Sequence, residues 1–261
     1  MERGVSGAMI RYAKKDHVGF VEIMGPCTCG AELFALADEL RDIRSQVQSD
    51  DDIRVLLLSG FEEINILMDS DSPEDHLKGG LEMVGLIRQP GSEVAGFDCP
   101  TIAVIKGNIS GPAVEVTLSC DLRIAAETAS FAFPHLQAGG IPCDGGTQRL
   151  PRLVGSAKAL ELILTACTIS AREALQIGLV NRVVKSEDLQ ETFERIAREM
   201  ASRGPIALRF AKEAVYKGMD LTIGDGLRLE SDLYFLLHTT RDRSEGIKAF
   251  QAKRKPEFRG E

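Results

Sequence analysis

Three side chains near the middle of the sequence can exchange protons near neutral pH: Glu115, His135 and Asp144. A carboxylate beside an apolar pocket can act as a general base or acid, and an imidazole can take a proton from water. Each residue also has a purely structural interpretation. Glu115 would favour a helix dipole, His135 would be packed or face solvent, and Asp144 would cap the turn at Gly145–Leu150. The residue types alone leave both interpretations open.

The six cysteines do not form an obvious metal site or disulfide framework. Cys27 and Cys29 are a short pair without a second Cys or His pair at ligand spacing, which does not favour zinc. A chain of 261 residues is also too long for the small disulfide-stabilised class. We therefore expect reduced thiols, no metal and no redox cofactor.

The overall charge argues against two classes of partner. A net charge of −8 and an isoelectric point of about 5.2 give an average surface that repels phosphate backbones and acidic lipid. No apolar run approaches the roughly 18–20 residues that span a bilayer. Residues 1–7 also lack the apolar core of a signal peptide. We expect a cytoplasmic protein that binds neither nucleic acid nor membrane.

The surrounding pattern predicts an α/β fold. A hairpin is expected at 9–12 and 18–23, and apolar residues spaced by three and four predict a helix over 30–47. Continuous apolar runs typical of strands buried on both faces occupy 53–58, 101–105 and 122–126. After Gly145 the pattern is mostly helical, with one short strand at 179–184. Strands that alternate with helices predict a largely parallel sheet.

One continuous domain accounts for the whole sequence, because no repeat and no linker is present. We divide it into an α/β core over residues 1–200 and a helical oligomerisation region over residues 201–261. The polar stretch at 70–100, with a helical patch near 77–87, is interpreted as a surface connection in preference to a mobile loop over a site.

Several ordered motifs carry a resemblance to one family. A buried strand, a glycine turn, a segment with a glutamate and a Cys-Asp-Leu strand follow one another, and later segments match further signatures. These motifs lie at 101–107, 111–115, 120–125, 129–134, 141–150, 169–180 and 245–258. Together they resemble the crotonase (enoyl-CoA hydratase/isomerase) superfamily, strongly over 100–258 and weakly over 9–99.

The resemblance implies a crotonase-like ββα spiral core with a helical C-terminal trimerisation region. It implies a homotrimer or a dimer of trimers. It also implies an acyl-CoA substrate, so that coenzyme A enters as part of the substrate and no other cofactor is needed. In such proteins two backbone N–H groups hold the thioester oxygen while negative charge develops on it.

The resemblance also assigns roles to the three proton-exchanging residues. Glu115 stands where the family has its first catalytic glutamate, and His135 stands where hydratases have their second. His135 and Asp144, nine residues apart, resemble the dyad of the β-diketone hydrolases of this superfamily, in which the carboxylate orients the imidazole and the imidazole activates water.

The same resemblance points to the backbone groups and cations around the substrate. The oxyanion hole corresponds to Ile66 and Pro112, but proline has no N–H to donate. A shift of one residue would let Gly111 or Ala113 supply that donor instead. Lys253, Arg254 and Lys255 match the basic cluster that lies near the CoA nucleotide in hydratases, although a charge run at this position is also typical of a solvated surface.

Three functions remain open from the sequence. The first is an enzyme that acts on an acyl-CoA thioester, by enoyl-CoA hydration or isomerisation or by hydrolytic C–C cleavage. The second is a CoA-independent β-diketone hydrolase acting on a small diketone. The third is a non-catalytic crotonase subunit, which the altered oxyanion positions and the missing second glutamate favour.

Overall fold

The chain forms a central sheet, built from the alternating and continuous apolar runs of the sequence, and a smaller second sheet. The computed structural model describes residues 9–65 and 89–261. Its strands are β1 (Ile10–Lys15), β2 (Val18–Ile23), β3 (Val55–Ser59), β4 (Thr101–Ile105), β5 (Ile109–Ser110), β6 (Leu122–Ala126), β7 (Ser130–Ala132), β8 (Ile169–Ser170) and β9 (Arg182–Val184). The larger sheet has the order β1-β2-β3-β4-β6-β9 and is parallel except for the β1–β2 hairpin; β5, β7 and β8 form the smaller sheet.

Helices cover the sheet and make up most of the C-terminal part. They are α1 (Gly30–Gln48), α2 (Pro90–Ala95), α3 (Pro112–Leu118), α4 (Gly146–Val154), α5 (Ser156–Thr165), α6 (Ala171–Gln176), α7 (Leu189–Ala201), α8 (Pro205–Gly218), α9 (Ile223–His238) and α10 (Arg241–Gln251). Short 3₁₀ turns occur at Phe61–Glu63, Pro134–Ala138 and Ser186–Asp188.

The inner strands β3 and β4 are apolar over most of their length because both faces of the sheet are covered. In β3, Leu56 and Leu58 pack into the core cluster that includes α1, whereas Val55 and Leu57 pack into a second cluster with α7. Side chains alternate between the two faces of a strand, so a run without polar residues is what such a layer requires. The sheet is therefore sandwiched between helices.

The structure confirms the mixed α/β class and most of the expected elements. The strands at 101–105 and 122–126 have the predicted bounds, and α1 extends the predicted 30–47 helix by one residue. The small β5-β7-β8 sheet was not predicted, because its strands of two or three residues carry no readable periodicity. The predicted helical patch at 77–87 lies outside the described residues, and the division at residue 200 remains a prediction.

Among residues 9–65 and 89–261, no helix combines the length and the apolar content needed to cross a membrane. The same ranges contain no cluster of three or more His, Cys, Asp or Glu side chains placed to hold a metal ion.

Candidate active site

A glycine turn and a proline direct the chain into the short helix α3 that carries Glu115. Gly111 precedes the helix with φ +56°, a backbone conformation that favours glycine, and Pro112 is the first helical residue. The Gly111 N–H donates to Ala132 O at 3.0 Å, which ties the turn to β7. Glu115 in the first turn of α3 is completely buried.

Backbone donors fix one oxygen of the Glu115 carboxylate. Oε2 accepts hydrogen bonds from Asp144 N and Gly146 N, each at 2.8 Å. A Cβ added at Gly146 would lie 2.9 Å from this oxygen, so the close approach requires glycine. Charge-assisted bonds of this kind are roughly twice as strong as neutral ones. The loop at 143–146 therefore sets the orientation of Glu115.

The other oxygen faces a buried histidine. His135, in the 3₁₀ turn at Pro134–Ala138, is 2% exposed, and its Nε2 lies 2.8 Å from Glu115 Oε1. The two atoms are at contact distance but lack the alignment of a hydrogen bond. His135 Nδ1 has no hydrogen-bond partner among the described residues. The geometry therefore places an imidazole against a carboxylate and leaves the second ring nitrogen free to exchange a proton.

Asp144 has a different environment from the one expected. Its Oδ2 accepts a hydrogen bond from Gly91 N in the first turn of α2 at 2.6 Å. Asp144 therefore caps α2, whose own N-cap residue supplies no side-chain bond, and not the turn at 145–150. Burial, and then the nearby Glu115 charge, raise the pKa of Asp144 to about 7, although the bond from Gly91 acts in the opposite direction.

The three candidate catalytic residues therefore come together, but with a pairing that differs from the predicted dyad. The carboxylate that contacts His135 belongs to Glu115, and Asp144 is joined to Glu115 through its backbone N–H. The nine-residue spacing of His135 and Asp144 could not show this, because it does not specify which carboxylate faces the ring.

Comparison with known proteins places this chain in a family. The family model for enoyl-CoA hydratase/isomerase matches residues 87–261. The chain belongs to the enoyl-CoA hydratase/isomerase family. It is 36% identical to a putative enoyl-CoA hydratase/isomerase of Bacillus subtilis (strain 168), over 95% of this chain and 96% of the relative. It is 35% identical to a crotonyl-CoA hydratase of Syntrophomonas wolfei, over 84% of this chain and 86% of the relative.

A solved structure of the enoyl-CoA hydratase/isomerase family has the same fold. The enoyl-CoA hydratase from Bacillus anthracis superposes with a TM-score of 0.86 at 36% identity, over 97% of this chain and all of the other. This match confirms the crotonase-like α/β fold with C-terminal helices that the motifs predicted.

The predicted oxyanion position at the start of α3 has no backbone donor of its own. Pro112 begins α3 and has no N–H, so it cannot be the backbone donor expected at its position. Gly111 is already engaged with Ala132 O. The N–H of Ala113 has no acceptor among the described residues and is the remaining alternative at this turn. Ile66, the other predicted position, lies outside the described residues.

The three predicted CoA-binding cations differ in whether they already form an ion pair within the chain. Both terminal nitrogens of Arg254 donate to the Glu245 carboxylate, at 2.6 and 2.9 Å, which holds the pKa of Glu245 at about 2. Arg254 is therefore engaged within its own chain. Lys253 and Lys255 are exposed and have no ion-pair partner among the described residues. Of the three residues, these two are available for a phosphate group.

Sequence reasoning missed Gly91. It lies 53 residues before Asp144 and outside every recognised motif. The only local signal is the Pro90-Gly91 pair, which by itself indicates a turn or a helix start.

Proposed function

We propose that the chain acts on an acyl-CoA thioester by moving a proton at the acyl carbons next to the thioester, in hydration of an enoyl group or in shift of its double bond. The observation that carries this proposal is the buried contact of 2.8 Å between His135 Nε2 and Glu115 Oε1. Relatives that match most of this chain are described as enoyl-CoA and crotonyl-CoA hydratases.

One acid–base pair suffices for either reaction. In hydration an O–H bond of water breaks, a C–O bond forms at the β carbon, and the proton is returned to the α carbon. In isomerisation a C–H bond breaks at one carbon and another forms two carbons away. Neither reaction consumes a proton overall, so the Glu115–His135 pair can accept a proton and give it back. The geometry of this pair supports proton transfer in either reaction and does not distinguish hydration from isomerisation.

The developing enolate needs at least one hydrogen-bond donor. With Pro112 unable to donate and Gly111 engaged, the Ala113 N–H is the proposed donor on the α3 side. Loss of one oxyanion donor typically costs about 10²–10³ in rate. We therefore propose turnover slower than that of a hydratase with both donors.

The geometry gives less support to hydrolytic C–C cleavage and to a CoA-independent diketone hydrolase. Both depend on an imidazole oriented by Asp144, and the carboxylate in contact with His135 is that of Glu115. The Asp144 carboxylate is occupied by the first turn of α2.

Crotonyl-CoA is the first substrate to test. The loss of absorbance of the conjugated thioester reports hydration, and proton exchange in deuterated water with an unconjugated isomer reports a double-bond shift. We expect Glu115→Gln and His135→Gln to lower kcat about 10²–10⁴-fold, because each removes one partner of the proton-transfer pair. Glu161→Gln is the matched control, since Glu161 is exposed on α5.

The other outcomes separate the alternatives. Tight binding of CoA thioesters without turnover or exchange would identify a non-catalytic subunit. Cleavage of a small β-diketone with no affinity for CoA would replace the proposal with the hydrolase.

We further propose that Lys253 and Lys255 bind phosphates of CoA and that the chain assembles as a trimer. Exposure of both lysines supports the first point. The second is supported by the large apolar side chains exposed on the C-terminal helices: Ile223, Leu227, Tyr234, Phe235, Ile247 and Phe250.

A further inference from the structure

The first turn of α2 is in contact with the loop that orients Glu115. Gly91 N donates to Asp144 Oδ2 at 2.6 Å, and Asp144 N donates to Glu115 Oε2 at 2.8 Å. Asp144 thus accepts a hydrogen bond from Gly91 with its side chain and donates one to Glu115 with its backbone. A shift of the Asp144 backbone that accompanied a displacement of its side chain would also move the N–H that holds Glu115.

There is no room for a side chain at the start of this connection. A Cβ at Gly91 would lie 2.7 and 2.8 Å from the two carboxylate oxygens of Asp144, and 2.8 Å from Ser119 Oγ. Side-chain carbons essentially never approach other heavy atoms so closely. Asp144 is a short residue that is 3% exposed, so we expect the contact to be relieved by a shift of the 143–146 loop.

The helix on which Gly91 lies is itself anchored. Glu93, buried on α2, has Oε1 3.2 Å from Arg41 Nε and Oε2 2.9 Å from Arg44 Nη2, both on α1. These ion pairs hold the short helix against the long one. The position of Gly91 is therefore fixed from outside the site.

We propose that Gly91 is a positioning residue, which fixes Asp144 and, through the Asp144 N–H, sets the orientation of Glu115 toward His135. This inference rests on the proposed function for its kinetic consequence. It reassigns Asp144 from partner of His135 to the bridge between α2 and Glu115.

Gly91→Ala is the direct test, because the variant alters no atom of Glu115, His135 or Asp144. Alanine favours the helical state over glycine by about 0.5–1 kcal/mol, so loss of helix would not explain a loss of activity. We expect kcat on crotonyl-CoA to fall about 10–100-fold with KM within about threefold, the usual scale for displacing a catalytic group by about 1 Å. Gly30→Ala is the matched control, since Gly30 also begins a helix and an added Cβ meets nothing within 4 Å.

A second readout does not depend on turnover. The ring signals of the four histidines, assigned with His135→Gln, report the surroundings of each imidazole by NMR. We expect Gly91→Ala to shift the His135 signal and leave those of His17 and His238 unchanged, and Gly30→Ala to shift none of these. If the wild-type chain proves inactive, the proposed function fails, and this readout still decides the positioning role.

Asp144 variants keep the test decisive if Gly91→Ala does not fold. Asp144→Asn retains an acceptor for the Gly91 N–H, whereas Asp144→Ala removes it. Positioning predicts a His135 signal near the wild-type value and most of kcat in Asp144→Asn, with both changed in Asp144→Ala. Equal losses of kcat in the two variants, or a Gly91→Ala protein with wild-type kcat and His135 signal, would overturn the inference.

Discussion

At the scale of single residues, the two oxygens of Glu115 have different environments. Oε2 is held by two backbone N–H groups, and Oε1 faces the imidazole of His135. Only a change to proline removes a backbone donor, so one half of the carboxylate is fixed by the fold itself. The other half remains available for proton exchange.

Asp144 should make the stability of the protein depend on pH. The pKa of Asp144 is raised to about 7 in the folded state, from about 4 for an aspartate in an unfolded chain. Between these values the folded chain keeps a proton that the unfolded chain releases, so the free energy of unfolding falls as pH rises from about 4 to about 7. We expect Asp144→Asn to gain stability relative to wild type over this window, by up to about 1.4 kcal/mol per pK unit.

Urea unfolding of both proteins at pH 5 and pH 8 measures the effect. A difference in free energy of unfolding that is the same at both values would contradict a raised pKa. Asp225→Asn, on the exposed first turn of α9, controls for the general effect of removing a carboxylate.

At the residue scale, the catalytic roles of Glu115, His135 and Asp144 remain predictions, and the structure shows which of these side chains lie together. The motifs around Glu115 and His135 select the two side chains that the structure brings within 2.8 Å. The expected contact between His135 and Asp144 was replaced because the Asp144 carboxylate bonds to Gly91, a long-range contact that no local pattern encodes.

At the scale of elements, the short helix α3 depends on a buried cation near its C-terminal end. Arg123 on β6 donates from Nη1 to Cys120 O at 2.7 Å and to Thr117 O at 3.3 Å, and from Nε to Leu179 O at 2.7 Å. A cation near the C-terminal end of a helix is favourable because the last carbonyls lack intrahelical partners. The residue thus joins α3, β6 and the segment before β9.

Arg123→Met should be strongly destabilising. Methionine keeps much of the stem volume but leaves three buried carbonyl oxygens without this donor, which we expect to cost about 3–5 kcal/mol. Thermal unfolding followed by circular dichroism measures the loss. Arg172→Met, at an exposed position on α6, should change the melting temperature little. A variant as stable as wild type would show that water replaces the guanidinium.

Helices and strands were predicted accurately where a long segment carries a repeating apolar pattern, and poorly where the segment is short. Leu33, Leu36 and Leu40 define one face of α1, and all three are buried. The two-residue strands β5 and β8 have no period to read. Their positions are set by pairing with β7, which is a tertiary property.

At the scale of the whole molecule, the C-terminal helices expose several large apolar side chains. Ile223 is 83% exposed, Phe235 68% and Phe250 85%. Large apolar side chains left exposed in contiguous patches mark interaction sites in proteins, and the exposure of these residues is consistent with such a site. The trimer predicted from the motifs would cover them.

A charge on this surface should therefore change the oligomeric state. We expect Phe235→Asp to lower the mass measured by light scattering from three or six times 28.4 kDa toward that of one chain. In the assembly the aspartate would be a buried charge without a partner. Gln190→Asp, on the exposed part of α7, is the control and should leave the assembly unchanged. A wild-type protein that is already monomeric would contradict the trimer.

The ion pairs that Glu93 forms with α1 have a consequence for how this protein would respond to random mutation. Arg41 and Arg44 contribute no atom to the Glu115 site, yet they hold the helix against which Asp144 rests. A library screened for altered turnover should return substitutions on one face of α1 beside those in the site. Mutational tolerance along α1 would then follow its contact with α2, and not its distance from the substrate.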